Sequence, residues 1–304
     1  MECVLKTFDL GKRFGKRWAA RGLNLEVHRG DIFCFLGPNG AGKSTTIRMI
    51  LTLLKPTTGA IRLFGEDLHK NRVAVLSRVG GIVEKPDFYL FLSAFKNLKL
   101  LGSMTRRVTR DEVMEALERV GLSARAGDKV RTFSHGMKQR LGIAQALLTK
   151  PELIILDEPT TGLDPQGMKD VRELIQRLAL EEGMTIFLSS HLLSEIEQVA
   201  TRMAVIHRGE MKAQGSVSEL LAREAIDYAL QAAPIEQAMR LMQGVPWVQV
   251  LSSDGHMIEV RLEPGHAAEL NKLLVANQIE VAALYPRRTL EDFFLKVTKG
   301  APGI

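Results

Sequence analysis

An eight-residue segment with three glycines constrains this chain more than any other feature. Residues 37–44 read Gly-Pro-Asn-Gly-Ala-Gly-Lys-Ser, directly after the predicted strand 31–36 and before a helical pattern that extends to Leu54. Glycines let the backbone curl so that successive N–H groups point at phosphate oxygens, and the N-terminal end of the following helix adds positive charge. Strand, loop and helix together predict a phosphate-binding loop.

Lys43 and Ser44 give this loop its chemistry. The Lys43 ammonium can reach the β- and γ-phosphates of a nucleotide, and the Ser44 hydroxyl can bind Mg²⁺. A glycine-rich turn with a chance lysine is the alternative interpretation. The nucleotide contacts predicted in this stretch are Gly37, Pro38, Asn39, Gly40, Ala41, Gly42, Lys43, Ser44 and Thr45.

A second motif is an apolar strand that ends in two carboxylates. Residues 153–156 are Leu-Ile-Ile-Leu, and Asp157 and Glu158 follow them. Because ligands bind at the C-terminal edge of parallel sheets, we expect this pair and Lys43 to converge on one triphosphate. Asp157 is predicted to hold Mg²⁺, directly or through water, and Glu158 to orient or deprotonate the attacking water. An ordinary strand that runs into an acidic turn is the alternative.

Hydrophobic periodicity alternates between strands and helices up to about residue 220. The apolar strands predict an α/β domain with a largely parallel sheet. The predicted elements are strands at 3–9, 23–28, 31–36, 60–64, 79–83, 153–156 and 185–189, and helices at 44–54, within 92–123, at 136–148 and at 167–181.

The C-terminal part of the sequence has a different pattern. Its predicted order is strand, helix, strand, strand, helix, strand, with Asp254-Gly255 as the hairpin signal between two β-rich runs. This order is typical of the split, ferredoxin-like α+β arrangement. We therefore predict a first domain over 1–220, with a helical subdomain at about 85–150, and a C-terminal accessory or regulatory domain over 221–304.

Composition argues against several classes of protein. The net charge is +6, but the 41 basic and 35 acidic residues are dispersed, so we expect no nucleic-acid partner. Cys3 and Cys34 have no metal-ligand spacing and predict no disulfide framework, which is typical of a reducing compartment. No apolar run predicts a signal peptide or a membrane span, so action at a membrane would require a partner.

Three further motifs make the chain resemble the nucleotide-binding subunits of ABC transporters over roughly 4–220. They are Phe133-Ser134-His135-Gly136-Met137 at the place of the family's signature, Gly162-Leu163-Asp164 at its D-loop and His191 at its switch histidine. The resemblance implies a P-loop NTPase fold and hydrolysis of MgATP. It also implies a homodimer, or a pair with a similar ATPase, that sandwiches two ATP molecules, and a separate transmembrane permease that holds the pair at the cytoplasmic face of the membrane.

The resemblance implies roles for individual residues as well. Ser134 and Gly136 would close on the γ-phosphate held by the other subunit, and Ser134 is also expected to cap its helix. Phe14 stands at the place of the aromatic that stacks on adenine, with a core position as the alternative. His191 would contact the γ-phosphate and help to position water. The predicted catalytic set is therefore Lys43, Glu158 and His191.

Two positions depart from the family pattern. Glu84 replaces the Q-loop glutamine, and its carboxylate can accept hydrogen bonds and bind Mg²⁺ but cannot donate as an amide can. We predict it as a nucleotide contact and a metal ligand, with Ser44 and Asp157. His135 replaces the first glycine of the signature and is expected to face solvent. These departures, with the ending 290–294, resemble ABC-2-type exporters of the bacitracin and lantibiotic efflux or immunity group.

Three other functions compete with an exporter ATPase. A DNA-repair ATPase of ABC type would need a long coiled coil between the two phosphate motifs, and no heptad run is present. A ribosome-associated ABC protein would carry two cassettes in one chain, and this chain has one. Glu158 and His191 oppose a non-catalytic module that senses ATP, but Glu84 and His135 leave it open.

Overall fold

The computed structural model describes residues 2–222, 226–263, 265–286 and 290–299. The chain forms two compact units, Met1–Gly215 and Ser216–Ile304. Residues 223–225, close to the predicted domain boundary, lie outside the described residues, and the boundary at 220 stays a prediction.

The first unit contains eleven strands and seven α-helices among its described residues. In chain order they are β1 (Cys3–Phe14), β2 (Arg17–Leu23), β3 (Glu26–His28), β4 (Ile32–Leu36), α1 (Lys43–Ile50), β5 (Thr58–Leu63), β6 (Glu66–Asp67), α2 (Arg72–Leu76), β7 (Val79–Ile82), α3 (Ala94–Ser103), α4 (Arg110–Arg119), α5 (His135–Leu147), β8 (Leu153–Leu156), α6 (Pro165–Leu180), β9 (Thr185–Ser190), α7 (Leu193–Val199), β10 (Arg202–His207) and β11 (Glu210–Ser216).

A six-stranded sheet in the order β11-β10-β4-β9-β8-β7 forms the centre of this unit. The strands from β10 to β7 pair in parallel, which confirms the predicted parallel sheet. Every residue of β4, β8 and β9 is buried. Such burial is expected for the central strands of a parallel sheet that is covered on both faces. Phe33 and Phe187 stack across β4 and β9 with ring centroids 5.4 Å apart.

A second, mostly antiparallel sheet orders β2-β1-β5-β6, with β3 on β1. The prediction of one strand at 23–28 was wrong, because β2 ends at Leu23 and β3 begins at Glu26. Between them the Leu25 amide donates to the buried Thr7 hydroxyl at 2.8 Å, and the Leu25 carbonyl oxygen accepts from the Thr7 amide at 3.0 Å. The hairpin of β1 and β2 places Phe14 opposite Arg17.

The region 92–123, in which the sequence predicts helical structure, contains two α-helices. Helix α3 begins after Ser93 and α4 after Thr109, and each of these side chains accepts from the amide three residues on. At α4 the Glu112 side chain also accepts from the Thr109 amide, which completes a capping box. The two caps, sixteen residues apart, mark the starts of two separate helices.

The second unit contains α8 (Val217–Ala222), β12 (Ile226–Ala233), α9 (Ile235–Gln243), β13 (Val248–Ser253), β14 (Ile258–Leu262), α10 (Ala267–Ala276), β15 (Glu280–Pro286) and α11 (Leu290–Lys299). Among the described residues of this unit, four strands pair antiparallel in the order β13-β14-β12-β15. The first and third strands are central and the second and fourth are at the edges, which is the ferredoxin-like order, and the prediction is confirmed. Leu230, Ala238, Val260 and Leu270 belong to the core between sheet and helices.

Candidate nucleotide-binding site

The phosphate-binding loop (residues 37–44) connects β4 to α1. Gly42 precedes the helix at φ 111°, and a Cβ there would collide with the carbonyl oxygen of Ala19. Gly37 is equally restricted, since a Cβ would meet the carbonyl oxygen of Ile206. Glycine is therefore required at both positions for the loop to pack closely on its neighbours and leave its concave side open.

Lys43 lies at the start of α1 and is only 4% exposed. Its Nζ donates to the carbonyl oxygens of Gly37 at 2.7 Å and Pro38 at 3.3 Å. The same ammonium lies 3.1 Å from Glu158 Oε1. A buried charge requires such partners. The contact joins the lysine of the loop to the acidic pair after β8, so the two strongest sequence motifs meet in space.

The strands that carry these motifs are not adjacent, because β9 lies between β4 and β8. The end of β9 supplies the polar groups that hold the acidic pair. Ser189 Oγ donates to Asp157 Oδ1 at 2.6 Å and accepts from the Glu158 amide at 2.9 Å. Glu158 has φ 48°, a left-handed conformation that is costly for a residue with a side chain. The serine hydrogen bonds hold this strained turn in place.

Glu158 and His191 lie next to each other. His191 Nδ1 lies 3.2 Å from Glu158 Oε2, although the angle is not that of a hydrogen bond. Thr161 Oγ1 donates to the same carboxylate at 2.9 Å. Burial disfavours the charged carboxylate, but the Lys43 ammonium, the Thr161 hydroxyl and the His191 ring together hold the pKa of Glu158 below its usual range. The carboxylate is thus ionised at neutral pH and paired with the Lys43 ammonium.

A cavity of about 370 Å³ opens in front of these groups. It has the size of an ordinary ligand pocket. Phe14 is 54% exposed at its rim, which argues against the alternative of a core phenylalanine. The residues that line the cavity are Phe14, Arg17, Ala19, Asn39, Gly40, Gly42, Lys43, Ser44, Thr45 and Glu158.

Several other predicted site residues do not line this cavity. Pro38 and Ala41 line a second cavity of about 460 Å³ with Arg17 and His207. The Glu84 carboxylate forms an ion pair with Arg48 of α1. The backbone of Glu84 has φ 66°. The predicted contact of Glu84 with the nucleotide or a metal stays a prediction.

The segment that begins α5 combines a helix cap with close packing. Ser134 Oγ accepts from the Met137 amide at 3.2 Å, so the predicted cap is present. Gly136 is buried, and a Cβ there would lie 3.2 Å from Gly167 Cα at the start of α6. Asp164 in turn caps α6 by accepting from the Gly167 amide at 3.3 Å. Gly136 thus has a packing role that the sequence did not predict.

Comparison with known proteins adds a second kind of observation. The sequence profile of the ABC transporter family matches residues 20–161. The bacitracin transport ATP-binding protein BcrA of Bacillus licheniformis is 44% identical over 303 residues, which cover 99% of each chain. The chain belongs to the ABC transporter ATP-binding family. The resemblance on which the sequence prediction rested is confirmed.

Two further matches describe how far the ABC likeness extends. The lantibiotic transport ATP-binding protein SrtF of Streptococcus pyogenes is 40% identical over 208 residues, 68% of this chain and 89% of that protein. A dimeric bacterial ABC transporter cassette has 25% identity and a TM-score of 0.61, and the match covers 70% of this chain and 98% of that one. The likeness to the solved ABC cassette thus covers only part of this chain, whereas that to BcrA extends over nearly all of it.

The predicted metal ligands Ser44 and Asp157 offer oxygen donors, which Mg²⁺ prefers. Within the described ranges, no three or more His, Cys, Asp or Glu side chains form a cluster that could hold a metal ion. Mg²⁺ commonly binds one or two protein groups and completes its shell with phosphate oxygens and water. Ser44 and Asp157 suit such shared coordination. None of the described helices is long and apolar enough to cross a membrane.

Sequence reasoning missed several residues of the ABC site. Arg17 and Ala19 line the cavity, Ser189 holds the acidic pair, and Thr161 contacts Glu158. Only their positions in the sequence could have indicated a role in the site. Ser189 lies near the end of an apolar strand, two residues before the predicted switch histidine, and Arg17 follows Phe14 by three residues. Partner atoms on other segments gave them their roles.

Proposed function

We propose that this chain is the ATP-hydrolysing subunit of an ABC-type exporter. The observation that carries the proposal is the contact of Lys43 and Glu158 at the edge of an open cavity. Lysine in a glycine loop holds phosphate oxygens, and an ionised carboxylate beside it serves a water that attacks the γ-phosphate. Members of the family bind and hydrolyse ATP, which supports the same assignment.

ATP binding is assigned to the phosphate-binding loop and the β1–β2 hairpin. The loop amides and Lys43 hold the phosphates, with Lys43 exchanging Glu158 for a phosphate oxygen. Phe14 stacks on the adenine, and Thr45 lines the same cavity. Mg²⁺, held by Ser44 and Asp157 with Glu84 as a further ligand, would neutralise the charge that develops on the phosphates.

The hydrolytic step is assigned to Glu158 and His191. Once Lys43 has moved to the phosphates, the Glu158 carboxylate is free to accept a proton from the attacking water. His191 positions that water and contacts the γ-phosphate. Ser189 keeps Glu158 in its strained conformation throughout, because its hydroxyl accepts from the Glu158 amide. The step needs no covalent intermediate on the protein.

A second subunit completes the site in this proposal. Ser134 and Gly136 of one copy close on the γ-phosphate bound by the other, whether the pair is a homodimer or includes a similar ATPase. The dimeric cassette in the family supports the arrangement. Hydrolysis removes the phosphate that holds the copies together, and they separate.

Transport requires a separate permease, with the ATPase peripheral at the cytoplasmic face of the membrane. Tyr89, Leu90 and Phe91 expose apolar surface within the stretch 84–101, and we assign the permease contact to this stretch. The names of the relatives include bacitracin and lantibiotic transport, so the proposed cargo class is an antimicrobial peptide, drug or other amphipathic compound. Residues 1–220, with a helical subdomain at about 85–150, form the nucleotide-binding domain in this proposal, and 221–304 an accessory or regulatory domain.

Phosphate release by the purified full-length chain with MgATP tests the proposal. We expect steady-state release that depends on Mg²⁺. Binding of ATP without release would favour the ATP-sensing module instead. Purification from membranes tests the second part, and the expected result is co-purification of a multi-helix membrane protein.

A further inference from the structure

Glu195 is a buried carboxylate that the proposed catalytic steps do not use. It lies in the first turn of α7, and only 6% of the residue is exposed. Its Oε2 accepts from Thr160 Oγ1 at 2.6 Å and from Ser190 Oγ at 3.4 Å. A buried carboxylate is costly unless it accepts hydrogen bonds, and Oε1 has no such partner among the described residues, so the contacts at Oε2 are the ones that tie the two hydroxyls to α7.

The two hydroxyls belong to the two segments that carry the proposed catalytic groups. Thr160 follows Glu158 by two residues, and Ser190 directly precedes His191. Both Thr160 and Ser190 are buried, at 6% and 4% exposure. Glu195 therefore bridges the segment after β8 and the end of β9 at the place where Glu158 and His191 face each other.

Ser190 extends this bridge to the phosphate-binding loop. Its carbonyl oxygen accepts from the Gly37 amide at 3.2 Å, and its hydroxyl accepts from the Leu192 amide at 3.0 Å. One residue thus contacts the first glycine of the loop, the backbone after the switch histidine and the Glu195 carboxylate. The contacts run through three segments that must keep one geometry for hydrolysis.

We propose that Glu195 is a positioning residue, which sets the distance between Glu158 and His191 by accepting hydrogen bonds from Thr160 and Ser190. The inference rests on the proposed ATP hydrolysis. Misplacement of a catalytic group by about 1 Å can cost roughly 100-fold in rate without loss of substrate binding. Glu195 acts through the position of its acceptor oxygen, which holds the two hydroxyls. Its charge is not needed at the reacting atoms.

Two pairs of variants test this inference in the full-length chain. Thr160→Val and Glu195→Ala remove the donor and the acceptor, and we expect kcat to fall about 10- to 100-fold. Thr160→Ser and Glu195→Gln keep a donor and an acceptor oxygen, and we expect kcat within about threefold of the wild type. The KM and the dissociation constant for ATP should stay within about threefold in all four variants.

Thr185→Val is the matched control, because it removes a buried threonine hydroxyl at the opposite end of β9. Thr185 is fully buried, and its Oγ1 accepts from the Gly30 amide at 3.0 Å. We expect this variant to lower the melting temperature while kcat stays within about twofold. A loss of kcat in Thr185→Val as large as in Thr160→Val would assign the effect to general stability and overturn the inference.

The remaining outcomes also decide the question. A wild-type kcat in Thr160→Val would overturn the proposed positioning role of Glu195. A Glu195→Gln variant as inactive as Glu195→Ala would also overturn it, because the charge of Glu195 would then be required. Variants that lose nucleotide affinity and kcat together would show a merely structural role. A wild-type chain without any phosphate release would overturn the proposed function itself, which separates that failure from failure of the bridge.

Discussion

The edge of the parallel sheet in the first unit and the antiparallel sheet of the second unit hold their polar groups in opposite ways. At the first, hydroxyls and carboxylates are buried and hydrogen bond to each other, as Ser189 does with Asp157 and Thr160 with Glu195. In the second, Arg261 pairs with Asp227 on the surface, and both side chains are more than a third exposed.

Burial explains why these two arrangements differ in consequence. A buried polar group that loses its partner costs about 1–3 kcal/mol, whereas an exposed ion pair contributes about 0–1 kcal/mol. The buried network therefore holds one geometry, as a reaction requires, and the exposed pair permits change. We therefore expect substitutions in the buried network of the first sheet to change catalysis, and substitutions of the exposed ion pair in the second sheet to be tolerated.

The largest effect is expected for Glu158→Gln. The amide keeps the shape of the side chain but cannot accept the proton of the attacking water, so phosphate release should fall at least about 100-fold. ATP affinity should be retained, because the phosphate-binding loop is unchanged. Phosphate release and equilibrium nucleotide binding measure the two quantities, and turnover at the wild-type rate would show that Glu158 is not the base.

The second largest effect is expected for Lys43→Ala. The variant removes the ammonium from the phosphate site and leaves Glu158 without its ion-pair partner, so ATP affinity should fall about 10- to 100-fold, as for loss of a charged hydrogen bond of about 1.5–3 kcal/mol. Titration with a fluorescent ATP analogue measures this loss. Unchanged affinity would contradict the assignment of the loop.

A smaller effect is expected for Phe14→Ala. Stacking on a base is worth about 1–3 kcal/mol, so the dissociation constant for ATP should rise about 5- to 100-fold. The melting temperature should not change, because Phe14 is 54% exposed. Phe14→Tyr serves as the control and should bind ATP normally, since it keeps the aromatic face.

The elements that sequence predicts well are those whose pattern is local. The loop 37–44, the strand before Asp157 and the hairpin at Asp254-Gly255 all follow from residues adjacent in the chain. The ferredoxin-like order of the second unit also follows from the order of its elements. The structure bears out these fold predictions because local chemistry and global fold agree there.

The features that sequence did not predict depend on distant partners. β9 lies between the two motif-bearing strands, and this order is a property of the sheet. Ser189, Glu195 and Arg17 became recognisable only through the atoms they meet. Glu84 is instructive in another way, because the structure pairs it with Arg48, and its predicted contact with nucleotide and metal stays a prediction.

Acid should weaken the contact that joins the two motifs. The pKa of Glu158 is held below its usual range in the folded protein, so this group stabilises the fold above its unfolded pKa of about 4.3 and ceases to do so as pH falls through the folded value. Lowering the pH from 7 to 3 should therefore reduce the melting temperature of the wild type more than that of Glu158→Gln. A difference independent of pH would contradict the ion pair with Lys43.

The smallest effect is expected where the polar groups are exposed. Asp227→Asn breaks the ion pair with Arg261, whose two nitrogens lie 2.7 and 2.9 Å from the carboxylate. Exposed ion pairs contribute about 0–1 kcal/mol, so the melting temperature should fall by at most a few degrees and the rate of phosphate release should not change. Thr160→Val also removes a single polar contact, but this contact belongs to a buried network. Thr160→Val should therefore lower turnover more than Asp227→Asn does. If Asp227→Asn lowered turnover as much, the separation of chemistry from tolerance between the two sheets would be wrong.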